Sequence, residues 1–170
     1  VTVESMISAC ESVKSACVTM GAVQTLLDVH GPALLLNIVR SCNRSAPQQH
    51  LLGAAMGCLM AVVAHAKGVR AVAAEDDCVA TLLDLLQMFR DKRSLFVSCC
   101  SVLVSLTKAV PAVQKLCAAE TSKARIAGIC TIVERKHRLD ERMRSVQKKK
   151  KEDEDEDDSV SAIHRLMVLL

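Results

Sequence analysis

Aromatic side chains are almost missing from these 170 residues: Trp and Tyr are absent, and Phe89 and Phe96 are the only rings. A core without rings must be filled by Leu, Val, Ala, Ile, Met and Cys, which suits helices packed at close range. The shortage also removes the stacking platforms that single-stranded nucleic-acid binders use, and a pI of about 8.4 is modest for that purpose. Nucleic acid is therefore not an expected partner. Nine cysteines are present without one Cys-x-x-Cys pair, so the usual zinc framework finds no support. The five histidines, at 30, 50, 65, 137 and 164, form no His-x-x-x-His pair, and no Gly-Lys-Ser/Thr phosphate loop occurs. With these parts missing, the expectation is a protein that is not an enzyme, with no cofactor, no metal and no catalytic residues.

Long hydrophobic runs are lacking too. The apolar stretch Leu51 to Ala66 falls short of the roughly 20 residues of a membrane-spanning helix and reads as a central buried helix. No membrane contact is expected. Val1 to Val29 shows no basic start followed by an apolar block, so no secretory signal is visible there. The cysteines then belong to a reducing compartment, as small buried apolar residues.

Helical periodicity runs through most of the chain. Leu52, Ala55, Met56, Leu59, Val62 and Val63 form one stripe. Val79, Leu82, Leu83, Leu86 and Phe89 form another, and Phe96, Cys99, Cys100, Leu103 and Leu106 a third. Alternating strand patterns are absent. Pro32, after Gly31, and Pro47 and Pro111 sit where a helix can begin without losing a needed donor. Asp76 and Asp77 read as caps at a helix start. Val23, Val69 and Val113 each open a Val-x-x-apolar segment followed by a longer helix ending near a basic residue, and they are 46 and 44 residues apart. That period matches armadillo and HEAT units, whose helices bury their apolar faces only by stacking on neighbours. The fold expected is all-α: an armadillo/HEAT-like helical solenoid of about three irregular repeats with a C-terminal closing helix. An irregular helical bundle is the alternative.

The end of the chain changes character. Glu134 to Lys151 holds nine basic residues against three acids, whereas Glu152 to Asp158 is acidic throughout. The expected organisation is a helical repeat domain over 1–147, a charged flexible linker over 148–158 and a closing helix over 159–170, capped by Asp158 or Ser159. Arg135, Lys136, Arg138, Arg142 and Arg144 surround an apolar stripe of Val133, Leu139, Met143 and Val146, and Lys148, Lys149, Lys150 and Lys151 extend the charge. This basic surface is the first candidate for partner binding. It suits an acidic surface such as the tails of tubulin, or calmodulin, which accepts basic amphipathic helices, here over 132–151. A solvated helix whose stripe packs on the preceding repeat is the plain alternative. A second candidate is the string Arg40-Ser41-Cys42-Asn43-Arg44-Ser45. Arg40 and Arg44 would share a face if the helix continued, with Asn43 ending it in the left-handed conformation and Ser45 capping the next.

Ile38 to Ser45 also resembles the C-terminal region of the abnormal-spindle family, and further resemblances follow in the same order. They comprise Asp77-Cys78, Leu82 to Lys92, Phe96 to Lys108, Ile132 to Arg142 with Lys136-His137-Arg138, and Ser159 to Leu170. That family carries a Trp-containing stretch before its final helix; here short Lys and acidic blocks take its place. The resemblance implies a non-catalytic armadillo-like scaffold of mitotic spindle poles, associated with microtubules, spindle-pole proteins and calmodulin. It implies a location in cytoplasm, cytoskeleton and spindle pole, and in the nucleus in interphase. Calmodulin binding in the family belongs chiefly to upstream IQ repeats, and no Ile-Gln-x-x-x-Arg-Gly string occurs here. A structural or self-associating cap without microtubule contact is the rival expectation.

Overall fold

The computed structural model describes residues 2–147 and 158–170, with the side chains of 144–147 excepted. Among them the chain is all-α, with ten helices and no strand. The expected linker, apart from Asp158, lies outside the described residues.

The helices fall into groups of three. α1 (Val3–Ala16), α2 (Met20–Asp28) and α3 (Gly31–Ser41) are followed by α4 (Ala46–Val63), α5 (Ala66–Ala74) and α6 (Cys78–Met88). Then come α7 (Arg93–Ala109), α8 (Pro111–Ala118), α9 (Glu120–Gln147) and α10 (Asp158–Met167). The leading helices stack in series: α4 packs between α1 and α7, and α10 packs on the far side of α7. Val23, Val69 and Val113 lie on the short middle helices α2, α5 and α8, all three buried. The third helices α3 and α9 flank α6.

Local chemistry accounts for the boundaries. Thr2 opens α1 with a reciprocal cap, its hydroxyl accepting from Ser5 N at 3.2 Å while Ser5 Oγ accepts from Thr2 N. Thr19 caps α2 by accepting from Ala22 N. Pro32, Pro47 and Pro111 occupy the first turns of α3, α4 and α8, as their missing N–H predicts. Two readings need correction. The left-handed residues are His30 and Asp77, not Asn43, whose Oδ1 instead accepts from Ser45 N at 2.8 Å in a side-chain turn. Asp77 precedes α6 but its carboxylate makes no cap bond, and Ser45 makes none for α4. Gly31 is needed for space: a Cβ there would meet the side chain and carbonyl of Leu26.

The core runs the length of the stack. Leu51, Leu52, Ala55, Met56, Leu59 and Val62 of α4 are buried, and so are Ala54 and Cys58 beside them, so burial covers more of the helix than one stripe would, as befits a helix held between two others. No single helix among the described residues is long and apolar enough to cross a membrane. Phe89 and Phe96 are fully enclosed on either side of the turn between α6 and α7. All nine cysteines are buried and unpaired.

Candidate partner-binding surface

Helix α9 would measure about 42 Å at the standard rise, and its two halves differ. In the first half Ile126, Ile129, Cys130 and Val133 recur at helical spacing and are buried against the core. The next positions on that side are Lys136, His137 and Asp140, so the inward stripe ends at Val133 for want of apolar side chains. Beyond Val133 the described part of α9 buries no residue.

Leu139 and Met143 are 58% and 62% exposed, while Val133 is only 4% exposed. At about 100° per residue, Ile132, Leu139 and Met143 line up on a face set about 100° round the helix from Val133. The stripe expected from Val133 through Met143 is therefore two faces, one in the core and one in solvent. Packing of Leu139 and Met143 on the preceding repeat does not occur. Arg135, Lys136, Arg138 and Arg142 are all exposed, and by the same angular count Lys136 flanks one side of the apolar line while Arg135 and Arg142 flank the other. Their charge is partly offset within the helix by Asp140 and Glu141, the latter 3.4 Å from His137 Nε2. The Arg144 side chain and Lys148, Lys149, Lys150 and Lys151 lie outside the described residues.

The second candidate is resolved differently. α3 stops at Ser41, so Arg40 and Arg44 share no helical face. Arg40 Nε donates to Thr81 Oγ1 at 2.9 Å, and its guanidinium also reaches the Asp76 carbonyl and Asn37. Arg44 donates to both carboxylate oxygens of Asp91 at 2.7 and 2.6 Å. Burial pushes the Asp91 carboxyl up, but its own backbone bond and the Arg44 guanidinium outweigh this and hold it below the ordinary carboxylate range. Arg125 of α9 repeats the pattern, donating to Asp84 at 2.7 Å and to Gln87 at 2.9 Å. These arginines cross-link α3 and α9 to α6 and its flanking turns, and their chemistry is spent within the fold.

One grouping escaped the sequence reading. Cys130 and Glu134 are one turn apart on α9, and His164 of α10 faces them, with Nε2 2.7 Å from Glu134 Oε1. Cys130 Sγ donates to the same oxygen at 3.5 Å. The His164 hydrogen bond, then that of Cys130, hold the Glu134 carboxyl below its ordinary range, while burial and the Glu134 charge push the Cys130 thiol up to about 11. The Cys-x-x-x-Glu spacing was legible, but the third member is 30 residues away and only the docking of α10 supplies it.

What the described residues define is an all-α domain with an exposed, basic, amphipathic helix on one side. No family model matches the chain, and no solved structure matches it. Curated relatives do. The chain is 32% identical to the abnormal spindle-like microcephaly-associated protein homolog of Felis catus over 66% of its own length and 4% of that protein. The Bos taurus homolog is 31% identical over the same shares, and the Mus musculus homolog 38% identical over 42% of the chain and 3% of that protein. Over these stretches the chain is similar to abnormal-spindle proteins, and it spans only 3–4% of the length of these relatives.

Proposed function

We propose that this region is a non-catalytic, armadillo-like scaffold of a spindle-pole protein, and that the solvent-facing half of α9 is the part that meets a partner. The serial packing of α1, α4, α7 and α10, with a short helix and a third helix between successive members, supports the solenoid reading. The relatives' name supports a role at the spindle. The observation that carries the partner reading is the outward face of α9: Ile132, Leu139 and Met143 in solvent, flanked by Arg135, Lys136, Arg138 and Arg142. Exposed apolar side chains framed by cations suit an acidic surface with some apolar character, such as the carboxylate-rich tails of tubulin on microtubules. Lys148 to Lys151 follow it in the sequence and add charge.

Co-sedimentation with stabilised microtubules at low and physiological salt tests this. Binding is expected to fall steeply with salt and to weaken about 10-fold or more in Arg138→Glu/Arg142→Glu, with thermal unfolding unchanged because both residues are exposed. Equal binding by the variant would refute the role of α9.

A second reading has its own support. Leu139 and Met143 at i, i+4, with Ile132 seven residues earlier, present spaced anchors on a basic helix, the pattern calmodulin accepts. Calcium-dependent capture that survives high salt and is lost in Leu139→Asp/Met143→Asp would favour it over microtubules.

A further inference from the structure

From the juxtaposition of Cys130, Glu134 and His164 we infer a three-residue site for a divalent zinc-type metal ion, which would fasten α10 to α9. The sulfur, carboxylate oxygen and imidazole nitrogen all lie within 4.8 Å of one another. Cys130 is buried, Glu134 half-buried and His164 exposed, so the donors converge at the rim of the core with solvent on one side. Tetrahedral zinc, with bonds of about 2.3 Å to sulfur and 2.0–2.1 Å to nitrogen or oxygen, sets its ligands roughly 3.3–3.6 Å apart. The Cys130–Glu134 separation of 3.5 Å already meets that spacing. The His164–Glu134 pair, at 2.7 Å, must open by about 0.6 Å to reach it, which the half-exposed His164 side chain can supply.

A mixed sulfur, nitrogen and oxygen donor set suits zinc better than magnesium or calcium, which take oxygen alone. On binding, the ion takes the place of the proton on the Cys130 sulfur and of the hydrogen bond between His164 Nε2 and Glu134, with the imidazole carrying its proton on Nδ1. The thiol proton passes to solvent. Three protein ligands leave a fourth position open to water or to a donor from a partner. His164 also lines a cleft with Lys108, His137, Val160, Arg165 and Val168. Elsewhere α10 is tied to α7 by Arg93–Asp158 at 3.6 Å, and the residues after it to α8 by Gln114, which donates to the Leu169 carbonyl at 3.3 Å. The metal would replace the direct His164–Glu134 bond as the tie between α10 and α9. This inference is independent of which partner α9 meets.

The test is zinc titration of the full chain, kept reduced, against a competing chromophoric chelator, with cobalt(II) as a spectroscopic stand-in. One ion per chain is expected, with a sulfur-to-cobalt charge-transfer band. Affinity should fall at least about 100-fold in both Cys130→Ser and His164→Gln. Cys42→Ser, whose thiol is buried elsewhere, should bind like the parent. His164→Gln replaces a half-exposed side chain and should fold normally, so it serves if Cys130→Ser does not. Zinc should raise the melting temperature of the parent and leave that of His164→Gln unmoved. Absence of stoichiometric binding, absence of the cobalt band, or full affinity in His164→Gln would each overturn the site and leave a hydrogen-bonded trio.

Discussion

Raising the pH should unfold this protein earlier than its size suggests, because the thiols it buries cannot ionise in place. Burial pushes Cys58 and Cys99 from an ordinary value of 9.0 up to about 12 and Cys78 up to about 11, and drives Cys100 in the same direction. All four are within 2% of full burial. A group whose folded value is raised contributes stability that is fully present below its unfolded value and is lost as the pH climbs toward the folded one. The window here opens near pH 9 and extends to about 11–12. At pH 10 each unfolded thiol gains about 1.4 kcal/mol by ionising, while its folded counterpart stays largely protonated. Four such groups withdraw about 5–6 kcal/mol, comparable with the lower end of ordinary domain stabilities. Urea unfolding followed by circular dichroism, with a reductant present, would read this as a fall in the midpoint between pH 8.5 and 10 at nearly constant slope. Alanine at Cys99 lowers stability at neutral pH but should remove about 1.4 kcal/mol of the alkaline loss at pH 10. A midpoint that stays level to pH 10 would refute the burial of these thiols.

Two glycines should respond oppositely to the same methyl group. At Gly68 a Cβ would meet the Val62 carbonyl oxygen and lie 2.8 Å from Val62 Cγ1, so Gly68→Ala should cost about 1–3 kcal/mol, or roughly 2–12 °C in melting temperature. Gly128, mid-helix in α9 with nothing within 4 Å, should gain about 0.8–1 kcal/mol on becoming Ala. Equal effects in calorimetry would contradict the close crossing of α4 and α5. Among the arginine ties, Arg40→Ala should cost about 1–2 kcal/mol, since it strips a partner from the buried Thr81. Arg44→Ala, which breaks a half-exposed pair with Asp91, should cost less than about 1 kcal/mol. Chemical denaturation ranks the two, and the reverse order would show that the Thr81 contact does not form.

Much of the architecture was legible because it follows from local rules. Helical spacing of apolar residues marked α4, α6 and α7, the three prolines marked helix starts, and the recurrence of Val23, Val69 and Val113 picked out the three short helices. Helix ends were less legible: Arg40 falls within α3 as expected, but Arg90 lies beyond α6, and α9 continues past Arg135 to Gln147. The left-handed backbone at His30 and Asp77 falls on two of the residue types enriched there, but that preference is too weak to single them out from the other His and Asp residues of the chain.

By itself the sequence determined that the chain is helical, that its core is aliphatic and thiol-rich, and that basic and acidic charge are segregated near its end. These are properties of residue type and period, which act over a turn or two of helix. Only the tertiary structure decided that Arg40 and Arg44 are cross-links, because their partners Thr81 and Asp91 lie 41 and 47 residues away. It alone separated Val133 from Leu139 and Met143, since which side of α9 meets the core depends on where α6, α8 and α10 lie against it. And it alone brought His164 to Cys130 and Glu134, a meeting set by the docking of α10 on α7 and α9, which no spacing along the chain encodes.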